Sequence, residues 1–276
     1  MMTKYIPIKF LTVLVFLWSS ASYFLAQNYQ ITYLVKFKPV KEADSFKTEF
    51  MMLDIVKDQS IFYNLDKEKI DSLVSKNKIK DALSLQSPLL RLRVSKKLSK
   101  NYCAVGIAFN QFDYWYEEKA PQYQNLKKSG NYKAYAVNEA YTVFGKRKWL
   151  ILYTNDIPIN DGPYVFYGLP GLVLKAESLD GDYTFEVTEV KKINNLSLPV
   201  QQKANIKKEK FSKNITDFIK DPASRRINFR NDLGDRFTYD FNGIKDINYK
   251  ETNEQIKTII QKFNNYSDKD IPVITF

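Results

Sequence analysis

Residues Tyr153–Leu174 read YTNDIPINDGPYVFYGLPGLVL, and this stretch holds the glycines and prolines that decide where the chain bends. Proline fixes its own φ and favours an extended conformation in the residue before it. Pro170-Gly171 therefore predicts the centre of a type II turn, with a positive φ at Gly171. We expect the bend over Gly168–Gly171 to lead into a strand that begins near Leu172.

The residues after the bend predict a hairpin. Asp180-Gly181 is a strong signal for a two-residue hairpin turn. A turn centred there pairs Ala176 with Phe185 on an apolar face and Lys175 with Glu186 on a polar face. Apolar pairs and pairs of opposite charge are typical of a stable antiparallel register.

The bend resembles the signature of the GLPGLI family, which has no established activity and which reads GLPGLV here. The resemblance continues more weakly upstream, at Ser60–Tyr63 and Tyr135–Ala140. Two positions depart from it: Val137 stands where relatives often carry Cys, and Ile151-Leu152 where they often carry Ala-Trp. It implies an exported protein of outer-membraned bacteria and supplies no catalytic residues. Its motif positions are Ile157, Pro158, Gly162, Pro163, Gly168, Leu169, Pro170, Gly171 and Leu172.

Two interpretations of this motif stay open, a structural corner and a binding site. The corner is favoured over a phosphate-binding loop, because the prolines remove amide donors and a strand follows instead of a helix. Pro158 and Pro163 indicate a connection exposed at the margin of a sheet.

The first 26 residues have the features of a secretory signal. Lys4 and Lys9 precede a short apolar core, Phe10–Trp18, and small residues at Ser19–Ala21 or Ala26 offer a cleavage site. The core is shorter than the roughly 20 residues of a transmembrane helix. We therefore expect export to the periplasm or to the outer membrane, with a retained N-terminal anchor as the alternative.

The chain has no histidine and one cysteine, Cys103. This composition excludes Ser-His-Asp and Cys-His catalysis within one chain, His-ligated metals and thiolate-rich metal sites. Cys103 lies in the β-like run YCAVGIAF, so we expect it to be a packed small side chain. The sequence predicts no cofactor, no metal site and no catalytic residues.

The formal net charge is +11. Removal of Lys4 and Lys9 with the signal would leave 40 basic against 31 acidic residues, a net charge of +9. For an exported protein this indicates contact with an anionic surface such as lipid, not with nucleic acid. A solvated basic surface is the plainer interpretation.

Alternating apolar residues predict a mainly β fold with flanking helices (α+β). We expect a curved antiparallel sheet or half-barrel over residues 27–200, with roughly eight to ten strands, among them the pair Tyr132–Phe144 and Lys146–Tyr153. Residues 201–276 would form a helical segment packed on the same domain. The architecture resembles the periplasmic lipoprotein-carrier fold, whose half-barrel holds acyl chains. Three helices are predicted: Asp66–Lys76, Ala204–Lys220 and Asn253–Phe263. Asp66 would be the N-cap of the first helix, and the second would have a basic face. Asp270–Phe276 would add a last strand.

Two groups of residues are candidates for contact with a ligand or a surface. Phe112, Tyr114 and Tyr116 share one face of a strand and could bind an acyl chain or a sugar, although a packed sheet face is favoured. Lys207, Lys208 and Lys210 begin a basic amphipathic helix that could lie peripherally on an anionic membrane, or could pack on the sheet.

The leading hypothesis is a non-enzymatic envelope protein that binds an amphiphilic ligand or a partner protein. The alternative is an envelope hydrolase that acts on glycans with two carboxylates, about 5–9.5 Å apart, for which Glu117 and Glu118 are the candidates. A third possibility is docking on a receptor or secretion complex through the proline-rich corner. The sequence gives neither the ligand nor the oligomeric state.

Overall fold

A computed structural model provides the structure. The predicted signal, most of the predicted helix Asn253–Phe263 and most of the predicted tail Asp270–Phe276 lie outside the residues it describes. Those residues are 28–42, 44–86, 88–90, 92–109, 112–198, 203–220, 250, 254, 257–258, 265 and 267–270.

In the part of the chain that the structure describes, eleven antiparallel strands form a single open, curved sheet, which confirms the predicted fold class. The strand order is β6-β5-β4-β3-β2-β1-β11-β10-β9-β8-β7, so two meanders meet where β1 pairs with β11. The strands are β1 Asn28–Phe37, β2 Lys47–Val56, β3 Gln59–Asn64, β4 Leu92–Lys97, β5 Tyr102–Phe109, β6 Phe112–Glu118, β7 Tyr123–Tyr132, β8 Tyr135–Phe144, β9 Arg147–Thr154, β10 Leu172–Ser178 and β11 Tyr183–Ile193.

The strand that the sequence did not predict is β7. Its residues YQNLKKSGNY are exposed along most of their length, so they lack the alternation of apolar and polar residues that predicts a strand. It pairs with β8 across a turn at residues 133–134. The predicted strand Tyr132–Phe144 is therefore divided between two strands.

The predicted register of the β10–β11 hairpin is confirmed. Lys175 pairs with Glu186, and Ala176 pairs with Phe185. The turn itself differs, because only Gly181 has a positive φ, of 76°, and its N–H donates to the carbonyl oxygen of Ser178 at 2.8 Å. The link therefore spans residues 179–182. This four-residue link has the same centre as the predicted two-residue turn, between residues 180 and 181, so the strands pair in the predicted register.

The two faces of the sheet have different surroundings. The inner face is defined by buried residues that alternate along the strands, such as Tyr29, Ile31, Tyr33 and Val35 of β1, each at most 9% exposed. It is covered by residues 155–171, here named the motif segment, and by helix α3 (Lys208–Lys220). Helices α1 (Leu65–Ser75) and α2 (Ile79–Ser84) follow β3.

Two helices begin at other residues than predicted. The N-cap of α1 is Asn64, whose Oδ1 accepts from the backbone N–H groups of Asp66 and Lys67, both at 3.0 Å. Asp66 lies in the first turn, because the last residue of β3 already provides a capping oxygen. α3 begins at Lys208, and residues 204–207 before it lie along the edge of β6. There the backbone N–H of Asn205 donates to the carbonyl oxygen of Trp115 at 2.8 Å.

The bend in the motif segment is built differently from the predicted type II turn. Gly168 has a φ of 93°, whereas Gly171 does not have a positive φ. The N–H of Gly171 donates to the carbonyl oxygen of Leu169 at 2.8 Å, which closes a three-residue turn around Pro170. Gly171 is needed for close approach, since a Cβ there would lie 2.0 Å from the carbonyl oxygen of Thr154.

The predicted exposure of the proline-containing connection is confirmed at Pro158 and wrong at Pro163. Pro158 is exposed, but Pro163 is buried together with Tyr164 and Phe166. The reason is that these aromatic side chains fill the inner face of the sheet, so the proline serves as a turn residue within the core.

Gly171→Ala should destabilise the fold more than Gly168→Ala. The added methyl group at residue 171 collides with backbone and should cost at least about 3 kcal/mol. At residue 168 the space is open, so only the positive φ is penalised, by about 1–2 kcal/mol. Urea unfolding followed by tryptophan fluorescence measures both values. Equal losses would contradict the close approach at Gly171.

Candidate functional site

The centre of the inner face is a cluster of aromatic side chains to which the motif segment contributes. The ring of Tyr164 stacks on that of Phe185, with centroids 6.2 Å apart and an angle of 9°. The centroid of Phe166 lies 4.9 Å from that of Trp149. These rings fill the space between the motif segment and the inner face of the sheet.

A buried pair, Lys96 of β4 and Asp161, holds the motif segment to the sheet. Lys96 Nζ lies 2.5 Å from Asp161 Oδ1 and donates to the carbonyl oxygen of Gly162 at 2.6 Å. Both side chains are 0% exposed. Asp161 Oδ1 also accepts from the backbone N–H of Gly162 at 2.7 Å, whereas Oδ2 has no hydrogen-bond partner among the described residues. Buried charges are costly unless paired, so each side chain requires the other.

Tyrosine hydroxyls around this pair donate to carbonyl oxygens. Tyr33 donates to Val173 at 2.6 Å, and Tyr123 donates to Tyr167 at 3.1 Å. Burial, followed by the charge of Asp161, raises the pKa of Tyr33 well above its ordinary value. The Tyr33 hydroxyl therefore stays protonated at neutral pH and acts as a fixed hydrogen-bond donor.

Cys103 is 0% exposed and lies opposite Lys96 in the β4–β5 register. Burial raises the pKa of its thiol to about 12, although Lys96 acts in the other direction. A protonated thiol is a poor nucleophile. The structure thus agrees with the prediction that Cys103 is a packed small side chain.

A second polar cluster fixes Asn265 to the ends of the strands. The buried guanidinium of Arg147 contacts Asp180, Asp182 and Asn265, with 3.0 Å between Nη1 and Asp182 Oδ2. Asn265 Nδ2 donates to the carbonyl oxygen of Lys38 at 2.7 Å. The cluster therefore joins the β8–β9, β10–β11 and β1–β2 ends of the sheet.

Lys208, a predicted contact residue, belongs to an internal ion-pair group. Its Nζ lies 2.5 Å from Glu118 Oε2 and 3.0 Å from Asp268 Oδ2. Burial alone would lower the pKa of Lys208, but Asp268 and Glu118 outweigh burial and raise it. Lys208 therefore stays charged and links α3 to β6 and to residue 268.

The other predicted contact residues do not come together as one surface. Tyr114 and Tyr116 pack on Phe211 of α3, with ring centroids 5.3 and 5.6 Å apart, which is the packed arrangement favoured from the sequence. The side chain of Phe112 lies outside the description. Lys207 and Lys210 are exposed. The solvent face of α3 also carries Glu209 and the ion pair of Lys213 with Asp217 at 2.6 Å, so it is not uniformly basic.

Glu117 and Glu118 do not face each other. Neighbouring residues of a strand point to opposite faces of the sheet. Glu118 contacts Lys208, while Glu117 lines a surface pocket of about 410 Å³ formed with residues 204–209. These two residues therefore lack the arrangement that hydrolysis between two carboxylates requires.

Neither a metal cluster nor a membrane-spanning helix is found in the part of the chain that the structure describes. No group of three or more His, Cys, Asp or Glu side chains lies close enough there to hold a metal ion. No helix of that part is long and apolar enough to cross a bilayer.

Sequence reasoning missed Lys96, Asp161 and Arg147. One signal was present, because Leu92, Val94 and Lys96 alternate along β4 and place the lysine on the buried face. Its partner could not be identified, since 65 residues separate Lys96 from Asp161 and the connection contains five strands.

Lys96→Met should destabilise the fold by about 3–5 kcal/mol, because it leaves the Asp161 carboxylate buried without its partner. Lys213→Met is the control, since it removes a lysine from an exposed pair and should change stability by less than about 1 kcal/mol. Urea unfolding of both variants tests this. A small loss for Lys96→Met would show that the pair does not hold the motif segment.

Cys103 should react with a thiol reagent such as Ellman's reagent only when the protein unfolds. The thiol is buried and protonated at pH 8, so the folded protein should show no fast phase, whereas the protein in urea should release one equivalent. Rapid reaction of the folded protein would contradict the buried position.

Comparison with known proteins gives a family of unknown function. Residues 95–175 match a family described as a protein of unknown function (Porph_ging), a span that contains Lys96, Asp161 and the whole of the GLPGLV motif. This match is consistent with an uncharacterised family and does not test the GLPGLI resemblance. No curated protein matches the chain.

Two solved structures of PNGF-II, in the P21 and C2 space groups, are similar to this chain. Both are 23% identical to it, with TM-scores of 0.44 and 0.45. Each match covers 62% of this chain and 29% of the PNGF-II chain, so the likeness extends over less than a third of that protein.

Proposed function

We propose that this protein is a non-enzymatic binding protein of the bacterial cell envelope, and that it binds a partner protein through its outer surface. The observation that carries the proposal is that the motif segment and α3 fill the inner face of the sheet. Export through residues 1–26, to the periplasm or the outer membrane, is part of the proposal and rests on the charged and apolar residues of that segment.

The filled inner face argues against an internal acyl ligand. Pockets for small molecules enclose about 300–1,000 Å³ and are lined mainly by apolar side chains. Tyr164, Phe166 and Phe211 lie against the sheet instead, each at most 2% exposed. The pocket of about 410 Å³ beside Glu117 lies at the surface and has charged residues in its lining.

The outer face has apolar residues in contact with solvent. Phe46 and Phe50 are 41% and 48% exposed, and the half-buried Leu34 pairs with Phe50 across β1 and β2. Lys36 Nζ lies 4.4 Å from the centroid of the Phe46 ring. Aromatic residues bordered by charge are typical of protein interfaces. The proline-rich corner offers less contact area, since Leu169 is 2% exposed.

Phe50→Ser should abolish capture of a specific envelope partner. The test is cross-linking in the envelope of the native cell, followed by affinity purification and mass spectrometry. Val143→Ser is the matched control, because Val143 is 66% exposed on β8, far along the sheet from β2. A partner retained by the control and lost with Phe50→Ser supports the proposal, and a partner retained by both variants contradicts the assigned surface.

Native mass spectrometry of the exported chain, purified without detergent, should give the mass of the protein without a bound lipid. A stoichiometric lipid in the organic extract would contradict a filled inner face and would favour the carrier hypothesis.

A further inference from the structure

The Lys96–Asp161 pair has a geometry that goes beyond an ion pair. A primary amine and a carboxyl group lie in contact, 2.5 Å apart, with both side chains 0% exposed. We propose that Lys96 and Asp161 condense to form an isopeptide bond, an amide between Lys96 Nζ and Asp161 Cγ that covalently links β4 to the motif segment.

Burial favours the condensation over the ion pair. Water stabilises separated charges, and a site without solvent loses that stabilisation. Transfer of one proton from the Lys96 ammonium to the Asp161 carboxylate gives a neutral amine and a neutral carboxylic acid. These are the reactive forms of the two groups, and an amide product carries no charge into the core.

The neighbouring backbone holds both reacting groups. Gly162 N–H donates to Asp161 Oδ1 at 2.7 Å, which polarises that oxygen as a carbonyl and stabilises negative charge on it during attack. The carbonyl oxygen of Gly162 accepts from Lys96 Nζ at 2.6 Å and positions the nitrogen. Oδ2 lacks a hydrogen-bond partner among the described residues and is the oxygen that departs.

The reaction balances without an oxidant or another reactant. The nitrogen lone pair attacks Cγ, and the C–N bond forms while the bond from Cγ to Oδ2 breaks. One amine proton transfers to the departing Oδ2 hydroxyl, so one water molecule leaves. The product keeps both hydrogen bonds, since its N–H donates to the Gly162 carbonyl oxygen and its Oδ1 accepts from the Gly162 N–H.

Among the described residues, Arg147 and Lys208 also form ion pairs inside the protein, but neither shares this arrangement. Arg147 carries a delocalised guanidinium, which is a poor nucleophile. Lys208 is 23% exposed and contacts two carboxylates, and these raise its pKa, so its amine stays charged. Lys208 therefore provides a matched control for the reaction.

The test is the intact mass of the wild-type chain after denaturation, with the N-terminus established by peptide mapping. We expect a mass lower by one water molecule than the sequence predicts, and a branched fragment that joins the peptides containing Lys96 and Asp161. Lys96→Arg and Asp161→Ala should restore the full mass, and Lys208→Met should keep the deficit.

Two results would overturn the proposal. One is a wild-type mass equal to that of the sequence, a result that does not depend on whether any variant folds. The other is a deficit found within a single linear peptide, which would indicate a cyclic imide at Asp161-Gly162 formed by attack of the Gly162 nitrogen. Fragmentation of the peptide distinguishes the branched product from the imide.

Discussion

The contact between Lys96 and Asp161 is the interaction on which the rest of the structure depends. It fastens a long connection between two neighbouring strands, β9 and β10, onto a strand of the other meander. With that connection in place, its aromatic side chains complete the core, and the carbonyl oxygen of Val173 accepts a hydrogen bond from the Tyr33 hydroxyl. Without it, the inner face would be an open apolar surface, and a buried charge would stand alone.

The position of this contact explains the glycines of the motif as structural residues. Gly171 allows β10 to begin against the backbone of Thr154, and Gly168 turns the chain toward solvent before it. Asp161 and Gly162 begin the buried part of the same segment, residues 161–167. The glycine- and proline-rich motif can therefore be explained by close backbone approach, with no bound phosphate or metal. We therefore expect the functional site on the outer surface.

The sequence was sufficient for local features and insufficient for distant ones. Alternation along Tyr29–Val35 and the residues around Gly181 predicted the strands and the register, because both depend on near neighbours. The exposed strand β7 was missed, since polar residues on an edge carry no periodic signal. The site was not predictable either: the burial of Asp161 and its pairing with Lys96 arise only when two meanders come together, and no local pattern encodes that contact.

The join between β1 and β11 has a consequence for the order in which the protein can fold. β1 is the first described strand, yet it occupies an interior position of the sheet, and Ile31 pairs with Val190 near the end of the last strand. Because the chain is synthesised from its N-terminus, the meander of β1–β6 can form early. The other edge of β1 then stays unpaired until β11 has been made. Such an edge is a template for aggregation. The edge of β1 is therefore exposed to aggregation until β11 has been made and pairs with it.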